Sequence, residues 1–114
     1  MSPITSHVLD LVLGRPAKQL VVRLEALNDQ TGAWSQLAER QTDDDGRVSD
    51  LLREGELGVG TYRISFDTGR YLAAAGRSIF YPVVEIVFRV DAPAEHYHIP
   101  LLLSTFGYST YRGS

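Results

Sequence analysis

Apolar residues recur on every second position in short runs closed by turn-forming residues, and this pattern constrains the fold more than any other feature of the chain. In Val22-Arg23-Leu24-Glu25-Ala26, Tyr62-Arg63-Ile64-Ser65-Phe66 and Val84-Glu85-Ile86-Val87-Phe88-Arg89-Val90 the alternation has the period of a strand with one buried face. Gly14-Arg15-Pro16, Asn28-Asp29-Gln30-Thr31-Gly32, Asp43-Asp44-Asp45-Gly46 and Asp91-Ala92-Pro93 supply the turns between such runs. Short strands punctuated in this way read as an all-β antiparallel sandwich or barrel. One stretch departs from the pattern. Asp67 or Thr68 can cap a helix, Arg70-Tyr71-Leu72-Ala73-Ala74-Ala75 favours one, and Gly76 can end it, so a helix of about two turns is predicted there.

The 114 residues fit one domain, residues 1–114, with no repeat, low-complexity tract or linker. A hydrophobic fraction of 44% against 22% charged residues is enough for a core without disulfides or a structural metal. With 11 Lys and Arg against 14 Asp and Glu, a net charge of -3 and no basic run, the chain lacks the footprint of a nucleic-acid binder, and that class is excluded. The absence of cysteine excludes thiol catalysis and thiolate metal sites. No apolar stretch approaches the length of a membrane span, and the first residues lack the basic-then-apolar order of a signal peptide, so the expected location is cytoplasmic.

Three histidines, His7, His96 and His98, are the candidates for proton transfer. A strand through Tyr97-His98-Ile99-Pro100-Leu101 puts Tyr97, Ile99, Leu101 and Leu103 on a core face and His96, His98, Pro100 and Leu102 on the opposite one. Histidines beside Pro100 and Leu102 point to a lined cleft or a subunit interface. A His-x-His pair on one face also matches zinc ligation, with His7 as a third ligand, but Glu95 is the only adjacent carboxylate to support it. A calcium loop around Asp43, Asp44, Asp45 and Gly46 fails, because aligning Gly46 to the loop glycine puts Gln41 at the first ligand position and Leu52 where a bidentate glutamate is needed. That segment reads as a tight acidic turn that delivers Arg47, either as a site residue or as the surface partner of those aspartates. The run Leu101 to Thr110 is expected to bury the last segment as a strand and so hold Tyr111-Arg112-Gly113-Ser114, whose tyrosine, arginine and terminal carboxylate look like part of a site.

Several of these segments together resemble one family, the transthyretin-like 5-hydroxyisourate hydrolases. The matching pieces are Ser6-His7-Val8-Leu9-Asp10 with Gly14-Arg15-Pro16-Ala17, Asp44-Asp45-Gly46-Arg47, Phe80-Tyr81-Pro82, His96-Tyr97-His98-Ile99-Pro100-Leu101-Leu102-Leu103-Ser104 and Gly107-Tyr108-Ser109-Thr110-Tyr111-Arg112-Gly113-Ser114. The closing Tyr-Arg-Gly-Ser is the specific piece, since it separates the hydrolases from the hormone-carrying transthyretins. Thr105 departs from the proline usual in the family and touches no site residue.

The resemblance implies an eight-stranded antiparallel β-sandwich with one short helix, assembled as a homotetramer whose central channel holds the active sites. It implies 5-hydroxyisourate, the labile product of urate oxidation, as the small-molecule substrate, opened by water in purine degradation without metal or cofactor. Such chemistry needs a base, a positive group for the developing oxyanion and polar groups to orient a flat ring. On this reading His7 and His98 share the base role, His7 and Arg47 bind substrate, Arg47 stabilises its charge, and Tyr111 and the Ser114 end complete the pocket, the terminal carboxylate helping to orient a histidine or water. His96 and Arg112 rank below them, because His96 lies two residues along the strand and Arg112 points opposite to Tyr111. Two rivals remain: a non-catalytic carrier of small aromatic ligands on the same scaffold, and an immunoglobulin-like interaction domain. A carrier needs apolar pockets with few polar anchors, and an interaction domain leaves the histidines without a task.

Overall fold

The computed structural model describes residues 2–114. Its elements in chain order are β1 (Ile4–Asp10), β2 (Arg15–Pro16), β3 (Val21–Leu27), β4 (Trp34–Gln41), β5 (Arg47–Val48), β6 (Gly60–Phe66), α1 (Thr68–Ala74), β7 (Val84–Val90), β8 (Tyr97–Leu103) and β9 (Tyr108–Thr110). One sheet runs β2-β1-β8-β9 with β5 also paired to β1, and the other runs β4-β3-β6-β7. The fold is therefore the β-sandwich with one short helix that the resemblance implies, one of the two architectures that alternation allows, with nine strands among the described residues instead of eight because the short β2 and β5 both pair with β1. The two-residue strands β2 and β5 share one edge of β1, and β8 takes the other. Strand neighbours are antiparallel except β1 and β8, which run parallel.

The core lies between the sheets, where alternation aims one side-chain set from each strand. Ile4, Val8, Leu101 and Leu103 from one sheet meet Val22, Leu24, Ile64, Phe66, Val84 and Val90 from the other. Burial of each such aliphatic or phenyl side chain stabilises the fold by about 1.5–3 kcal/mol. The helix starts after Asp67, whose side chain makes no cap hydrogen bond, and it ends at Ala75, followed by Gly76 at φ 66°. No helix among the described residues is long and apolar enough to cross a membrane.

At its far end β1 is anchored by Asp10, which is fully buried. Its carboxylate accepts the backbone N–H groups of Val12 and Leu13, each at 3.1 Å. It also accepts the Tyr71 hydroxyl at 2.8 Å and the Arg77 guanidinium. Burial alone raises a carboxyl pKa, but the bonds from Arg77, Tyr71 and Leu13 outweigh it and hold Asp10 below its ordinary value. Burial and the bond to Asp10 push the Tyr71 phenol up to about 12, so this link between β1 and the helix keeps one charge pattern through the neutral range.

The last segment differs from expectation. The aromatic run does not bury it: Phe106, Tyr108 and Tyr111 are 71%, 41% and 58% exposed. Backbone pairing holds it instead, because β9 is the outermost strand of its sheet and only β8 lies beside it. Pro100 breaks this ladder, having no N–H to donate at the position that faces Tyr111 in register. β9 accordingly stops at Thr110, whose hydroxyl donates to the Pro100 carbonyl at 2.8 Å, and pairing resumes as a bridge between His98 and Gly113.

Candidate active site

The parallel register of β1 and β8 sets Thr5 beside His98, His7 beside Pro100 and Leu9 beside Leu102, while the antiparallel register of β1 and β5 sets Arg47 beside His7. Residues opposite one another share a face, and this face is turned away from the core. Thr5, His7, His98 and Leu102 are half-buried there, and Arg47 is exposed. Three strands far apart in sequence thus bring His7, Arg47 and His98 onto one face. On the β9 side, Ser109 stands opposite Leu102, and the register carries Tyr111 and Gly113 onto the same face. Arg112 is on the other side: it lies over the Tyr97 ring at 4.3 Å and bonds Glu95 at 3.0 Å, a structural attachment that fits its lower rank.

His98 is held on two edges. Its Nδ1 lies 2.8 Å from the Thr5 hydroxyl oxygen. Its Cδ2 edge lies so close to Gly113 that a Cβ added there would sit 2.4 Å from Cδ2. Nε2 has no hydrogen-bond partner among the described residues and remains open to a ligand. Burial lowers the His98 pKa, and repulsion from His96, Arg47 and His7 lowers it further, so the ring is predominantly neutral at pH 7.

His7 has a fixed proton. Its Nε2 lies 2.8 Å from the Asp45 carbonyl oxygen. A carbonyl only accepts, so Nε2 carries hydrogen and the lone pair of the neutral ring is on Nδ1.

The acidic turn that supplies this carbonyl also presents Arg47. Asp43 Oδ1 accepts the backbone N–H of Asp45 and of Arg47, both at 2.9 Å, and the Gly46 carbonyl accepts the Val8 N–H at 2.8 Å. Gly46 has φ 75°, and a Cβ there would lie 2.4 Å from the Val8 carbonyl oxygen, so glycine is required on both counts. The sequence left open whether Arg47 pairs with the aspartates. It does not: its guanidinium forms no ion pair among the described residues, and the carboxylate of Asp43 is engaged by backbone N–H groups.

Tyr111 and Ser114 are exposed and touch neither histidine through a hydrogen bond, so the single chain places them near the site without joining them to it. Sequence reasoning missed Thr5 and Gly113. Alternation from His7 does put Thr5 on the histidine face, the one signal available for it. No group of three His, Asp or Glu side chains among the described residues converges as a metal-ligand set, and His96 and His98 both turn a nitrogen onto Thr5.

Known proteins can be set against this geometry. A 5-hydroxyisourate hydrolase from Mus musculus is 44% identical over 113 residues, covering 99% of this chain and 96% of its own. A solved structure of Klebsiella pneumoniae 5-hydroxyisourate hydrolase superposes with a TM-score of 0.86 at 33% identity, with both chains covered completely. Sea bream transthyretin in complex with thyroxine superposes with a TM-score of 0.92 at 34% identity, covering 98% of this chain and 95% of its own. The model of the HIUase/Transthyretin family matches residues 4–113, and the chain belongs to that family.

Proposed function

We propose that the chain hydrolyses 5-hydroxyisourate to 2-oxo-4-hydroxy-4-carboxy-5-ureidoimidazoline in urate degradation, on the face that carries His7, Arg47 and His98. The observation that carries this reading is a half-buried imidazole with an open Nε2 on the same face as a guanidinium that has no ion pair among the described residues. Hydrolase relatives such as the mouse protein support the substrate. Fold alone does not choose between hydrolase and carrier, since the thyroxine-bound transthyretin superposes as well as the hydrolase does. The polar face does: a base and a free cation are what ring hydrolysis needs and what an apolar carrier pocket lacks.

In the proposed mechanism water adds to a ring carbonyl while His98 takes its proton through Nε2, with His7 Nδ1 sharing the work of holding that water. The forked donors of Arg47 bind the substrate and face the oxyanion of the tetrahedral intermediate. Collapse breaks the ring amide bond, and the imidazolium returns the proton to the leaving nitrogen. Tyr111 and Ser114 close the pocket by hydrogen bonding once chains assemble as a homotetramer. Exposed Leu11, Val12, Leu13, Phe80, Phe106 and Tyr108 support that assembly, with Phe80 and Phe106 in edge-to-face contact as one exposed aromatic pair. The proposed setting is the cytoplasm, where a chain without cysteine needs no oxidising conditions.

The test is the ultraviolet decay of 5-hydroxyisourate generated in situ from urate, with light scattering to give the mass of the assembly. Saturable acceleration over spontaneous decay supports the hydrolase. Stoichiometric binding of aromatic ligands without acceleration selects the carrier. A companion prediction concerns Gly113. Gly113→Ala forces the His98 ring and the terminal segment apart, and displacement of a reacting group by about 1 Å lowers turnover about 100-fold. Circular dichroism should show the β-sheet intact, and a native rate in this variant rules out the close contact as a determinant of activity.

A further inference from the structure

We propose that Thr5 and His96 form a positioning relay that keeps the proton of neutral His98 on Nδ1, so that its Nε2 lone pair faces the substrate water. The proposal rests on the hydrolase reading and assigns two residues that the mechanism above does not use.

The Thr5 hydroxyl oxygen lies 2.8 Å from His98 Nδ1 and 3.0 Å from His96 Nε2. The two rings are near parallel, at 26°, with centroids 6.3 Å apart, and Thr5 bridges them. A hydroxyl has one proton and two lone pairs. If Thr5 donates to His98 Nδ1, the neutral His98 ring must carry its proton on Nε2. That nitrogen is then a donor with no protein acceptor, on a face already made positive by Arg47. If Thr5 instead accepts from His98 Nδ1–H and donates to His96 Nε2, every proton has an acceptor, because exposed His96 gives its own Nδ1–H to water. Should both rings donate to Thr5, the hydroxyl proton is left without an acceptor. With water counted for both rings, the first two arrangements satisfy the same groups, but only the second keeps an N–H donor off the positive face and leaves His98 Nε2 able to accept a proton from water.

The relay also explains why His96 sits on the strand face of His98 without reaching the open side of that ring. His96 acts on the hydroxyl, the hydroxyl acts on His98, and neither touches the reacting atoms. Imidazole tautomers are commonly set in this way, by the bond made at the other nitrogen.

Nitrogen-15 chemical shifts of the His98 ring in the native protein, above its pKa, read the tautomer directly. Protonated Nδ1 with bare Nε2 is expected, and protonated Nε2 overturns the relay whether or not the protein proves to be a hydrolase. Thr5→Val removes the hydroxyl at nearly constant shape, and kcat should fall about 10- to 100-fold, the scale on which orienting partners of an imidazole act, with KM little changed. Thr5→Ser, which restores the hydroxyl, should recover most of that rate. Native kcat in Thr5→Val, in a protein that does accelerate 5-hydroxyisourate decay, overturns the relay while leaving the hydrolase standing.

Discussion

His98→Ala should lower kcat/KM for 5-hydroxyisourate by about 100- to 10,000-fold, the range over which a positioned general base contributes to a rate. The ring is held on two edges, by Thr5 and by Gly113, and a fixed orientation is what a base needs when its partner is a single water molecule. Its removal leaves the core untouched, because His98 faces away from Tyr97, Ile99 and Leu101, which are buried. Thermal unfolding of the variant should therefore stay close to native while turnover collapses. A variant that turns over at the native rate removes His98 from the mechanism, and one that unfolds shows a structural role instead.

Arg47→Ala should cost about 100- to 1,000-fold in kcat/KM, as expected when one donor to a developing oxyanion is lost. The substitution is unusually clean. Arg47 is exposed and has no ion pair to break among the described residues, and the turn that carries it is held through backbone atoms by Asp43 and Val8. A second effect separates the role of its charge from that of its shape. Arg47 repels a proton on His98, so its removal raises the His98 pKa and moves the acid limb of the residual activity to higher pH. Arg47→Lys keeps the charge and hence the limb, but loses the forked donors and recovers only part of the rate. Unchanged kcat/KM in Arg47→Ala, measured on correctly folded protein, contradicts its assignment.

Much of this site was legible in the sequence, for a physical reason: strand alternation fixes which residues share a face without regard to their partners. His98, Pro100 and Leu102 were separable from the core set, and His7 from Val8, on period alone. The turn Asp43 to Gly46 announced itself by composition, and Arg47 with it. Alternation is silent on strand direction and neighbours, so the parallel pairing of β1 with β8, which sets Thr5 against His98, could not be read. Thr5 itself looks like any strand threonine, and its meaning comes from a residue 93 positions away. The terminal run misleads because its apolar side chains suggest a burial that the structure does not give them. Its attachment is through backbone pairing, interrupted at a proline, with Phe106 and Tyr111 left outward.

In the proposed mechanism a neutral imidazole in a positive setting activates water, and the pH dependence of kcat/KM reads that imidazole directly. Burial, reinforced by His96, Arg47 and His7, lowers the His98 pKa below its ordinary 6.5, so the base form survives to lower pH than in a free histidine. After subtraction of spontaneous decay at each pH, the enzymatic rate should hold through neutrality and fall only on the acid side, with a midpoint below 6.5. A midpoint above 6.5, or no enzymatic rate at any pH, contradicts it.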